Sequence, residues 1–424
     1  MKRYIRRKDK AHVKVLDKYM IQGFISSGTY GKVYKACNKK DLSDTTEYAI
    51  KKFKAEREGE SASYSGLSQS ACREMSLCRE LKHDNIVLLQ EIILEEKCIY
   101  MIFEFYEYDL LQVVHYHLHQ PKAKQKVPDC IVRGILHQLI QGVAYLHENW
   151  VLHRDLKPAN IMITKNGVVK IGDLGLARPF YNPIEPLYTG DKVVVTIWYR
   201  APELLLGAKH YGPAIDMWAV GCIFAELLVL RPLFKGEEVK IENKKTVPFQ
   251  RQQMTKIIEI LGTPSITTWP GVADMPDFHQ LKTLRSLQFK NQLPTWYRHI
   301  GIMASTQQGL KLLMNLLEYD PATRLTAADA LNHAYFSESP KVTNNVFENQ
   351  GLVYPNRQIK VEDSDMNRTT GSKLGGSQVS SSQTNAVANG TAPQELKALP
   401  GNTKNGNIPK RPMDECSGWL GGFM

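Results

Sequence analysis

The chain has no apolar run long enough to cross a bilayer. The longest, residues 219–230, is broken by Glu226 and falls well short of the roughly 20 residues that a spanning helix needs. It reads instead as a buried helix. The amino terminus, MKRYIRRKDK, carries the positive charge of a secretory signal but no apolar segment behind it, so secretion is not expected. Cysteine is sparse: seven residues, an odd number, with no C-x-x-C pair. That argues against both a disulfide framework and a structural zinc site, and implies a reducing compartment. Zinc-finger, RNA-recognition and basic-zipper patterns are also missing, so the net charge of +11 does not imply direct nucleic-acid binding. It suits acidic or phosphorylated protein partners, or simply a solvated basic surface.

What is present is ordinary for a globular enzyme. Hydrophobic residues make up 43% and charged residues 23% of 424 residues, enough for one catalytic unit with extensions. Residues 1–18 are basic and lack apolar periodicity. Alternating segments follow at residues 19–25, 32–36 and 47–53, then a helical spacing through Leu67, Ala71, Met75 and Cys78, then strand-like runs at 86–94 and 99–105. After Tyr106 the pattern becomes mainly helical, at 131–147, 214–230, 253–261 and 309–317. The expected fold is α+β with two lobes: a small β-rich lobe over residues 19–105 and a larger helical one over 106–336. The polar, lysine-rich stretch 119–126 reads as an exposed insertion between helices. Residues 337–424 form a carboxy-terminal extension, expected to be disordered from about 356, where Ser, Gly, Asn, Thr and Gln replace the large apolar residues. No internal repeat is visible.

The motifs point to phosphoryl transfer, which asks a protein to position a triphosphate, metal ions and an acceptor hydroxyl and to neutralise their charge. ISSGTYGKV, residues 25–33, is a glycine hairpin between two strands, with Gly28 and Gly31 giving it freedom and Ser26 standing where the pattern has its first glycine. Ile25 and Val33 flank it. Lys51 ends the strand YAIK, where it can bind the α- and β-phosphates of ATP, and Glu74 on the following helix is its candidate ion-pair partner. HRDLKPAN, residues 153–160, fills every functional position of H-R-D-x-x-x-x-N. Asp155 is the candidate base for the substrate hydroxyl, Lys157 lies near the transferred phosphoryl group and indicates Ser/Thr acceptors, and Asn160 is a magnesium ligand. Asp173 in Asp-Leu-Gly is the second hard-oxygen ligand for Mg2+, with Leu174 where the pattern has phenylalanine. Glu203 in WYRAPE and Arg324 in DPATRLT are expected to pair, and Asp216 to cap the catalytic loop.

Over residues 19–336 the chain resembles the cyclin-dependent kinase family. SQSACRE, ending at Glu74, stands where that family has PSTAIRE, the helix against which a cyclin presses. Together with the insertion after Tyr116, HENWVLHRDLKPANI and LLLGAKHYGPAIDMWAVGCIFAELL, it is similar to the fungal Mediator-associated, cyclin-C-dependent branch. The resemblance implies a C-type cyclin and Mediator kinase-module subunits as partners, nuclear residence, no membrane, and Ser-Pro or Thr-Pro protein substrates selected beside Val194, Val195 and Arg200. It also implies that Phe103 is the gatekeeper and that Glu104 to Tyr106 form the adenine-binding hinge. Arg73, Arg154 and Arg178 would clasp an activation-loop phosphate. About five residues before Thr196, however, stands Asp191 in place of a phosphorylatable threonine, so a carboxylate or a partner's acid is expected in that pocket. Thr189, Thr29 and Tyr30 are further candidate phosphosites. A mitogen-activated-type kinase would carry Thr-x-Tyr, which LYTGDKVVVT lacks; a scaffold with little activity is the other alternative, although Lys51, Asp155, Asn160 and Asp173 are intact.

Overall fold

Side-chain alternation makes the smaller lobe a sheet with two different faces. Tyr34 and Ala36, Ile50, and Tyr100 and Ile102 point to one side, where they are buried with Val15 and Tyr19. Their neighbours Ala49, Lys51, Phe53 and Met101 therefore point to the other side, towards the rest of the molecule. The computed structural model describes residues 1–11, 13–27, 31–39, 43–53, 69–95, 98–180, 197–239, 248–284, 289–300, 306–348 and 351–360.

In chain order the elements are α1 (Lys2–Ala11), α2 (Val15–Lys18), β1 (Tyr19–Ser27), β2 (Gly31–Asn38), β3 (Glu47–Phe53), α3 (Gln69–Glu80), β4 (Leu89–Glu95) and β5 (Cys98–Glu104). The five strands pair antiparallel in the order β1-β2-β3-β5-β4. Lys51 sits opposite Val33 on one side and Met101 on the other. Helix α3 packs beneath this inner face through Ala71, Leu77 and Cys78.

Next come β6 (Tyr108–Asp109), α4 (Leu110–Leu118), α5 (Asp129–Glu148), β7 (Val151–Leu152), β8 (Ile161–Ile163), β9 (Val169–Ile171), β10 (Arg178–Pro179), α6 (Pro202–Leu205) and α7 (Ala214–Val229). Asp109 starts α4 as its N-cap, its carboxylate accepting from Gln112 N at 2.8 Å. Every residue of α7 from Ile215 to Leu228 is buried, so this helix is the axle of the larger lobe. Glu203 and Arg324, both buried, form a bidentate ion pair at 2.7 and 3.0 Å that ties the end of the activation segment to the base of the lobe. His119 and residues 121–126 are exposed between α4 and α5, as the lysine-rich pattern predicts. No helix among the described residues is long and apolar enough to cross a membrane.

Two features depart from the expected layout. The basic amino-terminal stretch folds as α1 and α2, and Val15 enters the outer core of the sheet with its amide donating to Glu95 at 2.9 Å. At the other end the chain packs back on the larger lobe. Val346 and Tyr354 are buried, and the described chain runs past the compositional boundary near 356 to Lys360, which bridges to Phe24. Composition averages over many residues and cannot register a handful of specific backbone bonds.

Candidate active site

Between the sheet and the larger lobe lies a cavity of about 940 Å3, at the upper end of the size expected for a small-ligand site. Ile25, Ser26, Gly31, Val33 and Ala49 line it from the strands, and Phe103 to Tyr106 from the segment joining the lobes. From below come Asp155, Lys157, Asn160, Met162 and Asp173.

Lys51 Nζ lies 2.8 Å from both carboxylate oxygens of Glu74 and 2.9 Å from Asp173 Oδ1. Burial alone would lower the pKa of this lysine, but the two carboxylates overcome it and leave the pKa raised. Lys51 is therefore a fixed positive charge. Burial likewise works against ionised Asp173, yet Lys51 holds its carboxyl below the usual carboxylate range. Asp173 has φ of 59°, rare for a residue with a side chain. Its carbonyl-side neighbours turn at once into the short helical turn of Leu174 to Leu176, which packs against α3. The element that carries Glu74 thus also supports the backbone that aims Asp173.

The catalytic loop is held from beneath by one carboxylate. Asp216, at the start of α7, accepts from the backbone amides of His153 and Arg154, each at 2.9 Å, and from the His147 ring at 3.0 Å. These bonds fix Arg154 at a φ of 70°. His153 Nε2 lies 2.9 Å from the carbonyl of Gly172, locking the loop to the residue before Asp173. Above this support, Asp155 Oδ2 receives Lys157 Nζ at 2.7 Å and Asn160 Nδ2 at 3.0 Å. Its other oxygen, Oδ1, is buried with no hydrogen-bond partner among the described residues, at a residue that lines the cleft. Burial pushes the pKa of Asp155 up, with Lys157 opposing, so the two cleft aspartates are driven in opposite directions.

These residues fit a magnesium ion. The donors are the Asp173 carboxylate and the Asn160 amide oxygen, whose nitrogen is already committed to Asp155. Few protein oxygens, all hard, are what magnesium takes when phosphate oxygens complete its shell.

Most of the sequence-derived candidates therefore meet around one cleft. Gly28, Thr29, Tyr30, Thr189, Asp191, Val194, Val195 and Thr196 lie outside the described residues. Of the three arginines, Arg154 follows the catalytic loop histidine, Arg178 on β10 pairs with Leu152, and Arg73 is on α3. Sequence reasoning missed Ala49, Val87 and Met162 in the apolar walls, which look like any strand residues, and Asp109, whose place before an apolar helical run was legible as an N-cap. It also missed Pro355, Asn356, Arg357, Gln358 and Lys360, for which no motif exists.

Comparison with known proteins gives the same reading. The protein kinase domain family model matches residues 19–336. The serine/threonine-protein kinase SSN3 of Yarrowia lipolytica is 60% identical over 374 residues, 88% of this chain and 91% of its own length. The proteins of that name from Aspergillus terreus and Scheffersomyces stipitis are each 56% identical, covering 84% and 85% of this chain and 84% and 86% of their own lengths. The chain belongs to the protein kinase family and is a serine/threonine-protein kinase.

Proposed function

We propose that this kinase is cyclin-dependent and proline-directed, and that it acts in the nucleus within the Mediator kinase module on transcription-related proteins. The observation that carries the chemistry is the convergence of Lys51, Glu74, Asp173, Asp155, Lys157 and Asn160 on one cleft at hydrogen-bonding distances. In this reading adenine lies against the backbone of Glu104 to Tyr106, and Lys51 fixes the α- and β-phosphates. Asp173 and Asn160 would hold magnesium, which would supply neutralisation of phosphate charge. The unpartnered Oδ1 of Asp155 accepts the proton of the substrate hydroxyl, and its raised basicity suits that task. Lys157 accompanies the phosphoryl group as it passes to the acceptor oxygen.

The likeness to kinases named SSN3 and the SQSACRE helix support the cyclin-dependent, Mediator-associated branch. A C-type cyclin pressing on α3 would hold Glu74 against Lys51. Arg73, Arg154 and Arg178 would receive Asp191 or an acid from a partner in place of a phosphothreonine.

The test is transfer of labelled phosphate from MgATP to paired Ser-Pro and Ser-Ala peptides, with and without a C-type cyclin. Cyclin-dependent transfer restricted to Ser-Pro is expected, and Asp155→Ala should lower kcat by about 10²- to 10⁴-fold. No transfer by the folded protein under any partner condition would favour a scaffold.

A further inference from the structure

One wall of the cleft comes from neither lobe of the kinase fold proper. Pro355, Asn356, Arg357, Gln358 and Lys360, beyond the region matched by the family model, line the cavity. They are attached at three places. Tyr354 is 4% exposed, its hydroxyl 2.9 Å from His117 Nε2 and its ring edge-on to Tyr108 and Tyr116. The Arg357 amide donates to the carbonyl of Glu107 at 3.0 Å, and its guanidinium to Asp109 Oδ2 at 3.0 Å. Lys360 exchanges two backbone hydrogen bonds with Phe24, at 2.8 and 2.9 Å. The first two anchors belong to the larger lobe and the segment leading into it. The third is on β1, immediately before Ile25 and Ser26 of the nucleotide hairpin.

We infer that residues 354–360 are a strap that joins the two sides of the cleft and tightens its hold on ATP; this rests on the reading of the cleft as the nucleotide site. The cavity keeps about 940 Å3 with the strap in place, so the segment walls the site and does not fill it. By fixing β1 relative to the hinge it sets the height of the hairpin before nucleotide arrives, and such preorganisation strengthens binding without a new ligand contact. Gly23 shows how closely the strap is seated. A Cβ there would collide with the Ile359 side chain and come within 3.0 Å of the Lys360 carbonyl oxygen.

Gly23→Ala is thus a lever on the strap from outside the cleft. MgATP binding to the full chain with its cyclin is measured by calorimetry, alongside kcat and the KM for ATP with a Ser-Pro peptide. Gly23→Ala should raise Kd and KM for ATP about tenfold, the equivalent of about 1.4 kcal/mol, and leave kcat at saturating ATP nearly unchanged. A chain ending at Val353 should show the same weakening, and adding Gly23→Ala to it should change nothing further, because the two changes act on one contact. Unchanged affinity in Gly23→Ala overturns the strap, as does tighter binding, which would make the segment a plug. A parent chain that binds no MgATP overturns the nucleotide reading itself and the strap with it, an outcome distinct from equal binding by parent and variant.

Discussion

At the scale of single residues, one titration outside the cleft is moved into the neutral range, that of Glu226 on α7. It is 2% exposed, accepts from the Tyr199 hydroxyl at 2.6 Å, and burial pushes its pKa up from 4.5 to about 7. The folded protein therefore keeps a proton that the unfolded chain releases between about pH 4.5 and 7. Because the native state binds more protons in that window, stability falls as pH rises through it and levels off above. Glu226→Gln keeps an oxygen for Tyr199 and removes the ionisation. Its unfolding midpoint should gain on the parent from pH 5 to 7, by at most about 3 kcal/mol, and hold that gain at pH 8. Denaturant titrations at four pH values check this; a parent whose stability rises over the window would contradict it. Nothing in the sequence announced this group, since a glutamate in an apolar helix shows no pKa until its neighbours are placed. HRDLKPAN was legible for the opposite reason: three chemical roles are compressed into eight consecutive positions, so little tertiary information is needed to recognise them.

At the scale of elements, α3 decides whether the cleft is charged correctly. Glu74 is buried beside Lys51, and burial raises its pKa although the lysine opposes the shift. Glu74→Gln preserves the volume and one acceptor, but leaves Lys51 a single carboxylate in a site that already disfavours its charge. The expected result is a fall in kcat/KM for ATP of about 10- to 100-fold at neutral pH with little loss of folding stability, the range expected when one charge-assisted bond of about 1.5–3 kcal/mol is lost. Steady-state kinetics over ATP concentration, beside a thermal melt, tests it. An unaltered kcat/KM would mean that the ion pair is only structural. The strand and helix periodicities located α3 and the five strands to within a few residues because each buries one face. The motifs pair Glu74 with Lys51, but could not tell that Lys51 would bind Asp173 at the same time, since that depends on how the sheet and α3 pack over the larger lobe.

At the scale of the whole molecule, the folded unit is larger than the segment whose motifs identify it. Asn85, Gln138 and Val169 form a buried polar cluster in the larger lobe, and Gln138 also donates to the carbonyl of Asn344 at 3.0 Å. A Cβ at Gly134 on α5 would sit 3.0 Å from Val346 Cγ1, and Gly167, at a φ of 69°, receives Val346 through a backbone bond of 3.0 Å. Residues 342–348 and 351–354 therefore fill a groove shaped by glycines and apolar positions in the larger lobe, and Val346 and Tyr354 are its main buried side chains. Such side chains contribute about 1.5–3 kcal/mol each when removed from water. A chain ending at Ser337 should lose both and leave Gln138 without one acceptor, so its melting temperature should fall by at least about 5 °C. A chain ending at Lys360 keeps every one of these contacts and should melt with the full-length protein. Thermal unfolding of the three chains at one pH and ionic strength separates the possibilities. Equal melting of all three would mean that the groove is covered without being stabilised, whereas loss at both truncations would place the stabilising contacts beyond Lys360.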